Sequence, residues 1–349
     1  MTNCMIKRVM VTGIEGYIGS VLAPLLEQAG YEVIGLDIGY FTEGRFGNLV
    51  GPQVIERQDV RDTRTLDLSG IDAIVHLAAL SNDPMGDLDP ALTMEINHAS
   101  TVRLAKAARE AGVMRFVFSS SCSIYGQTGS EALTENDSFA PQTAYARSKV
   151  LTEKDLAELA DESFCPVFLR NGTAYGVSPR MRFDLVINNL CGWAHTTGEM
   201  ILLSDGSPWR PMVHIRDISE AFRAALSCPR EQVFNQAFNV GHHGENHQVS
   251  AMAEAVQQAF PGSRIKLSEK ASPDNRTYKV SFEKIHSQLE GFRSVWTIED
   301  GIAECATKLK EFDIDRADFE SRRYVRLKQL KHLIAANEIS ASLRWISPG

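Results

Sequence analysis

Three glycines near the N-terminus, Gly13, Gly16 and Gly19, constrain the fold of this chain more than any other feature. The apolar run Arg8–Thr12 before them predicts a buried strand, and the pattern of residues 18–28 after them predicts a helix. Between a strand and a helix, such glycines permit a tight turn, close approach of the backbone to a pyrophosphate, and close helix–strand packing. The N–H groups and positive dipole end of the helix would face that anion. These residues therefore predict a dinucleotide-binding strand–turn–helix unit.

A carboxylate follows at the end of the second predicted strand. Asp37 ends the run Glu32–Asp37 and lies 18 residues past Gly19. At this place a carboxylate accepts hydrogen bonds from the adenosine ribose and would repel a 2′-phosphate. No arginine adjoins it in the sequence Asp37-Ile38-Gly39. Asp37 therefore favours NAD over NADP as the cofactor.

Strand and helix patterns continue to alternate through the first half of the chain. Residues 73–78, 115–119 and 165–170 are β-rich runs, and residues 93–111 have the apolar spacing of a helix. Because strands that alternate with helices form parallel sheets, this pattern predicts the α/β class. The expected architecture is a Rossmann-like doubly wound parallel sheet with a smaller C-terminal substrate lobe.

The later part of the chain is richer in turns. We expect residues 1–170 to form the NAD-binding lobe and residues 171–312 to form mainly the substrate-binding lobe, with interleaved returns to the sheet. Residues 313–349 are expected to form a helical tail. Basic and apolar residues share one stretch of this tail at helical spacing: Arg322, Arg323, Tyr324, Arg326, Leu327, Lys328, Leu330, Lys331 and Ile334. This pattern favours an amphipathic helix with a solvated face, packed on its own domain, and a subunit contact is the alternative.

The composition is that of an ordinary globular protein. Of the 349 residues, 44% are hydrophobic and 23% are charged, and the net charge is −8 at pH 7. These values exclude intrinsic disorder and a collagen-like fibre, and the acidic balance argues against nucleic-acid binding. No apolar run approaches the roughly 20 residues of a membrane span, and a signal peptide is not indicated. The six cysteines are scattered without a C-x-x-C pair, so we expect no metal site, no disulfide framework and a cytoplasmic location.

Tyr145 and Lys149 form a candidate catalytic pair. At positions i and i+4 of a predicted helix they share one face. A tyrosine with an ordinary pKa near 10 is a poor base at neutral pH. A lysine ammonium and a positively charged nicotinamide ring both favour the phenolate, so the pair can act as a general base toward a sugar hydroxyl.

In combination, these motifs resemble the extended short-chain dehydrogenase/reductase family, and within it the branch of NAD-dependent nucleotide-sugar epimerases and dehydratases. The resemblance rests on the Gly-x-x-Gly-x-x-Gly spacing, on Asp59-Val60-Arg61-Asp62, on His76-Leu77-Ala78-Ala79 and on the Tyr145/Lys149 pair, and it extends from about Lys7 to Asp300. It implies that NAD is bound by Gly13, Gly16, Tyr17, Ile18, Gly19, Asp37, Asp59, Val60, Leu77, Ala78, Ala79, Ser119, Tyr145 and Lys149.

The resemblance also assigns roles at the end of the strand predicted at residues 115–119. The catalytic residues it implies are Ser121, which contacts the reacting sugar oxygen, Tyr145 and Lys149, with Ser123 as a possible auxiliary. The 4,6-dehydratases of the family carry Asp-Glu directly after the hydroxyl residue, but here Cys122 and Ser123 follow. Neither offers a carboxylate, so 4,6-elimination is disfavoured. Because some 3,5-epimerases of the family use a cysteine acid nearby, Cys122 is a second possible auxiliary; a buried small hydrophobe is the expected alternative.

The substrate implied by the resemblance is a nucleotide-diphosphate sugar. Arginine forks suit phosphate geometry, and the resemblance gives this role to Arg210 and Arg276. Arg180 and Arg182 lie in an unusually basic loop and are candidates to bind the substrate. Thr173 stands where the family has an asparagine that contacts sugar or phosphate. The substrate-binding set is therefore Ser121, Thr173, Arg180, Arg182, Arg210 and Arg276.

The sequence thus predicts an NAD-dependent nucleotide-sugar epimerase, and the favoured reaction is inversion at C4 through transient oxidation to a 4-keto sugar and hydride return. An oxidoreductase, a decarboxylase or a non-4,6 dehydratase could use the same Ser/Tyr/Lys triad. A cofactor-sensing regulatory protein is the non-enzyme alternative, against which the Tyr/Lys pair counts. A homodimer is expected from the family alone.

Overall fold

A computed structural model describes residues 6–48, 55–126, 131–268 and 277–346. Its strands are β1 (Arg8–Thr12), β2 (Glu32–Asp37), β3 (Ile55–Arg57), β4 (Ala73–His76), β5 (Arg115–Ser121), β6 (Ala132–Leu133), β7 (Cys165–Asn171), β8 (Thr173–Tyr175), β9 (Glu199–Leu202), β10 (Trp209–His214), β11 (Gln236–Val240), β12 (Asn246–Gln248), β13 (Arg264–Leu267) and β14 (Lys279–Val280). Seven of them form a parallel sheet in the order β3-β2-β1-β4-β5-β7-β11. This order confirms the predicted doubly wound α/β fold, and its direction reverses between β1 and β4.

The helices cover both faces of this sheet and also form part of a second lobe. They are α1 (Gly19–Gln28), α2 (Asp83–Gly86), α3 (Pro90–Met94), α4 (Ser100–Glu110), α5 (Ala144–Ala157), α6 (Val186–Thr197), α7 (Ile215–Ser227), α8 (Arg230–Val233), α9 (Val249–Ala259), α10 (Glu283–Gln288), α11 (Ile298–Glu311), α12 (Arg316–Phe319) and α13 (Arg326–Ala335). Successive residues of a strand point to opposite faces, so Val9 and Val11 pack in the core that contains Leu22 of α1 and Phe222 of α7, whereas Met10 packs in the core that contains α4 residues. Both faces are buried, which is why the central strands are almost continuously apolar.

The helix predicted over residues 93–111 is interrupted. Between α3 and α4 the backbone forms a π-helical turn at Glu95–Ala99. The turn brings the Asn97 amide to the loop after β4, where Oδ1 accepts from Leu80 N at 2.8 Å and Nδ2 donates to Leu80 O at 3.1 Å. A buried loop needs partners for its backbone groups. The π-helical turn therefore holds the loop after β4 in place through Asn97.

The second lobe has its own apolar cluster, formed by α6, α9 and α11 with short strands around them. Here β10 pairs with β8 and β12, and β9 pairs with β13. The chain also returns to the main sheet through β11, which pairs with β7. The boundaries predicted for the two lobes stay predictions, since the chain passes from the main sheet to the second lobe and back again.

The C-terminal tail differs from the amphipathic helix that the sequence predicted. Its long helix α13 begins only at Arg326, and Arg322, Arg323 and Tyr324 lie in a turn before it. Arg326 is buried, although the pattern placed it on a solvated basic face. The tail packs over the loop that follows β2 and over the second lobe, so long-range packing decided where the helix starts.

Among the described residues, no helix is long and apolar enough to cross a membrane. The same residues contain no group of three or more histidine, cysteine or acidic side chains that could hold a metal ion. The cysteines within this part of the chain, Cys122, Cys165, Cys191, Cys228 and Cys305, are all free thiols and buried.

Candidate active site

The glycine loop after β1 has the geometry that the sequence predicted. Gly13 has a φ of +71°, and a Cβ atom there would lie 2.8 Å from the backbone nitrogen of Ala78. A Cβ at Gly19 would lie 2.5 Å from the carbonyl oxygen of Gly13. A side chain at either position would collide with backbone, so both glycines are required by the turn and by the start of α1.

Asp37 lies at the carboxyl end of β2, beside this loop. Its carboxylate accepts hydrogen bonds from the backbone N–H of Glu15 at 3.0 Å and of Gly39 at 2.8 Å. Burial raises the pKa of the Asp37 carboxyl. An arginine does stand next to Asp37 in space, because Arg57 of β3 pairs with it in register. The Arg57 guanidinium is ion-paired with the Glu15 carboxylate.

One cavity of about 1000 Å³ runs along the carboxyl ends of the central strands and into the second lobe. Most of the predicted site residues line it: Gly13, Gly16, Tyr17, Ile18, Gly19, Asp37, Asp59, Val60, Leu77, Ala78, Ala79, Ser119, Ser121, Ser123, Tyr145, Lys149, Thr173, Arg182 and Arg210. Cys122 and Arg180 are absent from this lining, and Arg276 lies outside the described residues. The fold thus brings the predicted cofactor, catalytic and substrate residues around a single space.

Helix α5 carries the Tyr/Lys pair into the cavity. Thr143 caps it, accepting a hydrogen bond from the backbone N–H of Ala146 at 3.1 Å, so Tyr145 lies in the first turn. Lys149 follows one turn later. Its Nζ donates to the carbonyl oxygen of Ser119 at 2.6 Å and lies 5.6 Å from the centre of the Tyr145 ring. The Ser121 side chain is close enough to the Tyr145 hydroxyl to act on its pKa in the downward direction, so Ser121, Tyr145 and Lys149 form one cluster.

Burial shifts both members of the pair toward their neutral forms. It raises the pKa of Tyr145 to about 12, and it lowers the pKa of Lys149 to about 7. From the sequence, we expected the Lys149 ammonium to lower the pKa of Tyr145. In the buried site the cost of desolvating charge is the larger effect. Additional positive charge in the cavity is needed to favour the phenolate.

The serines at the end of β5 divide into two roles. Ser121 Oγ donates to Ser123 Oγ at 2.9 Å, and both line the cavity. Ser120 instead donates to the buried Glu153 carboxylate. Cys122 donates to the carbonyl oxygen of Arg170 at 3.1 Å, and burial raises the pKa of its thiol. Cys122 is therefore placed as a small core residue, not as an acid facing the cavity.

The predicted substrate arginines are placed unequally. Arg182 lines the cavity, where its guanidinium is ion-paired with Asp184 at 2.9 Å and donates to Ser81 Oγ at 3.1 Å. Arg210 of β10 lines the opposite, second-lobe part. Arg180 is a correction: its guanidinium donates to the buried Glu15 carboxylate at 2.7 Å and to Thr42 O at 3.0 Å, so it serves the loop packing and does not face the cavity.

Asn171 and Arg326 are among the cavity residues that sequence reasoning missed. Asn171, at the end of β7, donates to Ser119 Oγ at 3.1 Å, and its buried Oδ1 has no hydrogen-bond partner within the described ranges. Its position after a buried strand, in register with Ser121, could have indicated it. Arg326 of α13 also lines the cavity. Nothing local in the sequence indicated that, because its contacts are with residues far away along the chain.

A parallel sheet with a dinucleotide turn, and a Ser/Tyr/Lys cluster in the adjoining cavity, define an NAD-binding enzyme of the short-chain dehydrogenase/reductase type. The profile of the NAD dependent epimerase/dehydratase family matches residues 9–241. The chain belongs to this family.

Individual relatives cover most of the chain. A UDP-glucose 4-epimerase of Lacticaseibacillus casei is 28% identical over 322 residues, which is 85% of this chain and 95% of that protein. Among solved structures, a Thermus thermophilus UDP-glucose 4-epimerase in complex with NAD has a TM-score of 0.73 and 25% identity, covering 87% of this chain and 99% of the other. A dTDP-glucose 4,6-dehydratase of Streptomyces venezuelae with NAD bound has a TM-score of 0.74 and 25% identity, covering 87% and 97%.

NAD is the cofactor, and the residues of this chain fit it. Gly13, Gly16 and Gly19 line the cavity, so the backbone of the turn can come close to a pyrophosphate bound there. The Asp37 carboxylate can accept hydrogen bonds from an adenosine ribose. The Tyr145 hydroxyl and the Lys149 ammonium lie farther along the same cavity, where the nicotinamide end would be held.

Proposed function

We propose that this enzyme is a nucleotide-sugar 4-epimerase. The observation that carries the proposal is the cluster of Ser121, Tyr145 and Lys149 in the cavity that Asp37 and the glycine turn also line. A general base and an acceptor for hydride in one closed space are what reversible oxidation of a sugar carbon requires.

Tyr145 accepts the proton of the C4 hydroxyl, and Ser121 holds the same oxygen by a hydrogen bond. When bound, NAD supplies the acceptor that takes the C4 hydride and later returns it. Lys149 stabilises the Tyr145 phenolate electrostatically. After the keto sugar has rotated to present its other face, the hydride returns to C4 and Tyr145 returns its proton to the oxygen. The proton and the hydride both end on the sugar, so the reaction is redox-neutral.

The residues after Ser121 favour epimerisation over 4,6-elimination. Elimination needs an acid that protonates the departing hydroxyl, and Cys122 and Ser123 carry no carboxylate. Cys122 is also turned into the core, with its thiol donating to Arg170 O at 3.1 Å. The same geometry leaves a net oxidoreductase or a decarboxylase as the competing chemistry, since both begin with the same oxidation.

The nucleotide diphosphate is proposed to bind on the second-lobe side. Arg210 and Thr173 line that side of the cavity, and a guanidinium fork is suited to a diphosphate. Arg182 is proposed to contact the substrate near Tyr145, whose pKa it lowers slightly by its charge. Arg276 stays a prediction from the sequence.

Proton NMR in deuterated water tests the reaction. The purified enzyme is incubated separately with UDP-, GDP-, CDP- and dTDP-hexoses. A 4-epimerase is expected to form the C4 epimer with no deuterium on the sugar carbons and with no net change in NADH absorbance. Deuterium at C3 or C5 would instead indicate enolisation, stoichiometric NADH would indicate an oxidoreductase, and carbon dioxide release would indicate a decarboxylase.

We propose a homodimer on the family resemblance alone, and a cytoplasmic location because the cysteines are scattered without a C-x-x-C pair. Light scattering coupled to size-exclusion chromatography gives the mass of the particle in solution, to be compared with the 38.6 kDa of one chain. A mass equal to one chain at micromolar concentration would contradict the dimer.

A further inference from the structure

Arg326, the first residue of α13, is a buried arginine at the wall of the cofactor cavity. Its guanidinium stacks on the ring of Phe41, with Cζ 4.3 Å from the ring centre. Nη2 donates to the carbonyl oxygen of Arg180 at 3.1 Å. Nη1 is buried and has no hydrogen-bond partner among the residues that the structure describes. The side chain is thus held in place while part of its hydrogen-bonding capacity is unused.

The charge of Arg326 is also unmatched. Its two arginine neighbours each have a carboxylate: Arg180 pairs with Glu15 at 2.7 Å, and Arg182 pairs with Asp184 at 2.9 Å. Within the described part of the chain Arg326 forms no ion pair. Burial, and then the charge of Arg182, lower the pKa of Arg326 to about 9, so it is still a cation at neutral pH. A buried cation without a counter-charge is strongly destabilising, and a bound anion would remove that cost.

The position of Arg326 identifies which anion fits. The charges that act on the Arg326 guanidinium include those of Asp37 and Arg182, and all three residues line the same cavity. Asp37 lies at the adenosine-ribose end of the cavity, whereas Arg182 lies close enough to Tyr145 to influence its pKa at the nicotinamide end. In NAD the group between the two riboses is the pyrophosphate.

We propose that the Arg326 guanidinium binds the pyrophosphate of NAD, together with the glycine turn and the N-terminus of α1, which line the same cavity. The tail would then be part of the cofactor site and not only a covering helix. A fork of N–H donors can bind two phosphate oxygens at once. The proposal concerns the cofactor alone and does not depend on which sugar, or which carbon, the enzyme acts on.

Binding measurements without any sugar test it. Calorimetry is carried out on cofactor-free protein with NAD⁺, with ADP-ribose and with adenosine. Arg326→Met is expected to weaken NAD⁺ and ADP-ribose binding by about tenfold or more, because both ligands carry the pyrophosphate. Adenosine, which has no phosphate, is expected to bind as it does to the parent. Arg323→Met, an exposed arginine three residues earlier, is the matched control and should leave all three affinities unchanged.

Stability measurements separate ligand binding from a structural role. Removing an uncompensated buried charge should leave the cofactor-free Arg326→Met variant at least as stable as the parent, while the rise in Tm on adding NAD⁺ becomes smaller. Arg326→Gln, which keeps a donor for Arg180 O but loses the charge, is measured alongside and is expected to give the same loss of ADP-ribose affinity. Unchanged ADP-ribose affinity in both variants, or an equal loss for adenosine, would overturn the proposal.

Discussion

Burial shifts the pKa values of Tyr145 and Lys149 away from the charged forms that the proposed mechanism uses. In a poorly solvated site the neutral phenol and the neutral amine are favoured, which is the direction of both pKa shifts. Transfer of a proton from tyrosine to lysine creates two charges at once, and a nearby cation stabilises the phenolate. The base is therefore expected to become active only with the oxidised, positively charged cofactor in place.

Replacing Tyr145 with Phe tests the base directly. The variant is expected to lose about 10²- to 10⁴-fold in kcat, the usual contribution of a positioned proton-transfer group. NAD⁺ affinity should be retained, because the ring still packs in the cavity. Steady-state kinetics and calorimetry check the two expectations. Tyr31→Phe is the control, since Tyr31 does not line the cavity, and full turnover by Tyr145→Phe would contradict the assignment.

Lys149 should make the stability of the cofactor-free protein depend on pH. Burial lowers its folded-state pKa from 10.5 to about 7, so between these values the unfolded chain binds more protons than the folded one. The free energy of unfolding is then expected to rise with pH from about 7 to 10. Above pH 10 the raised pKa of Tyr145 has the opposite effect, because the folded chain then binds more protons than the unfolded one. Urea unfolding at several pH values is expected to show this slope in the parent and a smaller one in Lys149→Met. Parallel curves for parent and variant would refute it, and the exposed Lys154→Met is the control.

At the scale of elements, the first turn of α5 is the part that positions the chemistry. Thr143 closes the N-terminus of this helix and also donates to the Asp83 carboxylate at 2.7 Å, which ties α5 to α2. Tyr145 lies just inside the capped turn. A helix whose first turn frays would lose the orientation of the phenol before it lost its fold.

Thr143→Ala is expected to cost about 1 kcal/mol in the free energy of unfolding, the typical value of an N-cap, and to lower kcat. Thr143→Ser keeps the hydroxyl and should behave nearly as the parent in both measurements. Urea unfolding and initial-rate assays give the two quantities. If serine and alanine variants lose the same activity, the methyl group matters and the cap does not.

The secondary-structure elements also show which features could be predicted from the sequence and which could not. The glycine turn, Asp37 and the Tyr145/Lys149 spacing are local patterns, and the structure brings them around one cavity as expected. The π-helical turn at Glu95–Ala99 was not predictable, because its cause is the contact between Asn97 and the loop at Leu80. Long-range contacts of this kind leave no periodic signal in a single sequence.

At the scale of the whole molecule, the tail joins the two lobes. Tyr324 is almost fully buried, and its ring lies 5.9 Å from that of Phe46, after β2, and 5.2 Å from that of Phe183, in the second lobe. Edge-to-face aromatic contacts of this type add to the burial of apolar area. The same tail supplies Arg326, which the sequence pattern assigned to solvent. Packing on two partners from distant parts of the chain explains why that assignment was wrong.

Tyr324→Ala is expected to destabilise the protein by about 3 kcal/mol or more, as for other large buried aromatic side chains. Tyr324→Phe should lose only about 1 kcal/mol, since it removes the hydrogen bond to Arg45 O and keeps the ring. Chemical unfolding followed by tryptophan fluorescence compares the two variants. Equal losses would show that the hydroxyl, and not the aromatic packing, is what the tail contributes.

Because proteins are synthesised from the N-terminus, the residues of the sheet and the glycine turn emerge from the ribosome long before Tyr324 and Arg326. A partly translated chain could fold its first half and still lack one wall of the crevice. We therefore expect NAD to be retained only after the tail has emerged and docked. Pull-down of stalled nascent chains on an immobilised NAD analogue would test this timing: capture of chains stalled before residue 313 as efficiently as longer ones would contradict it.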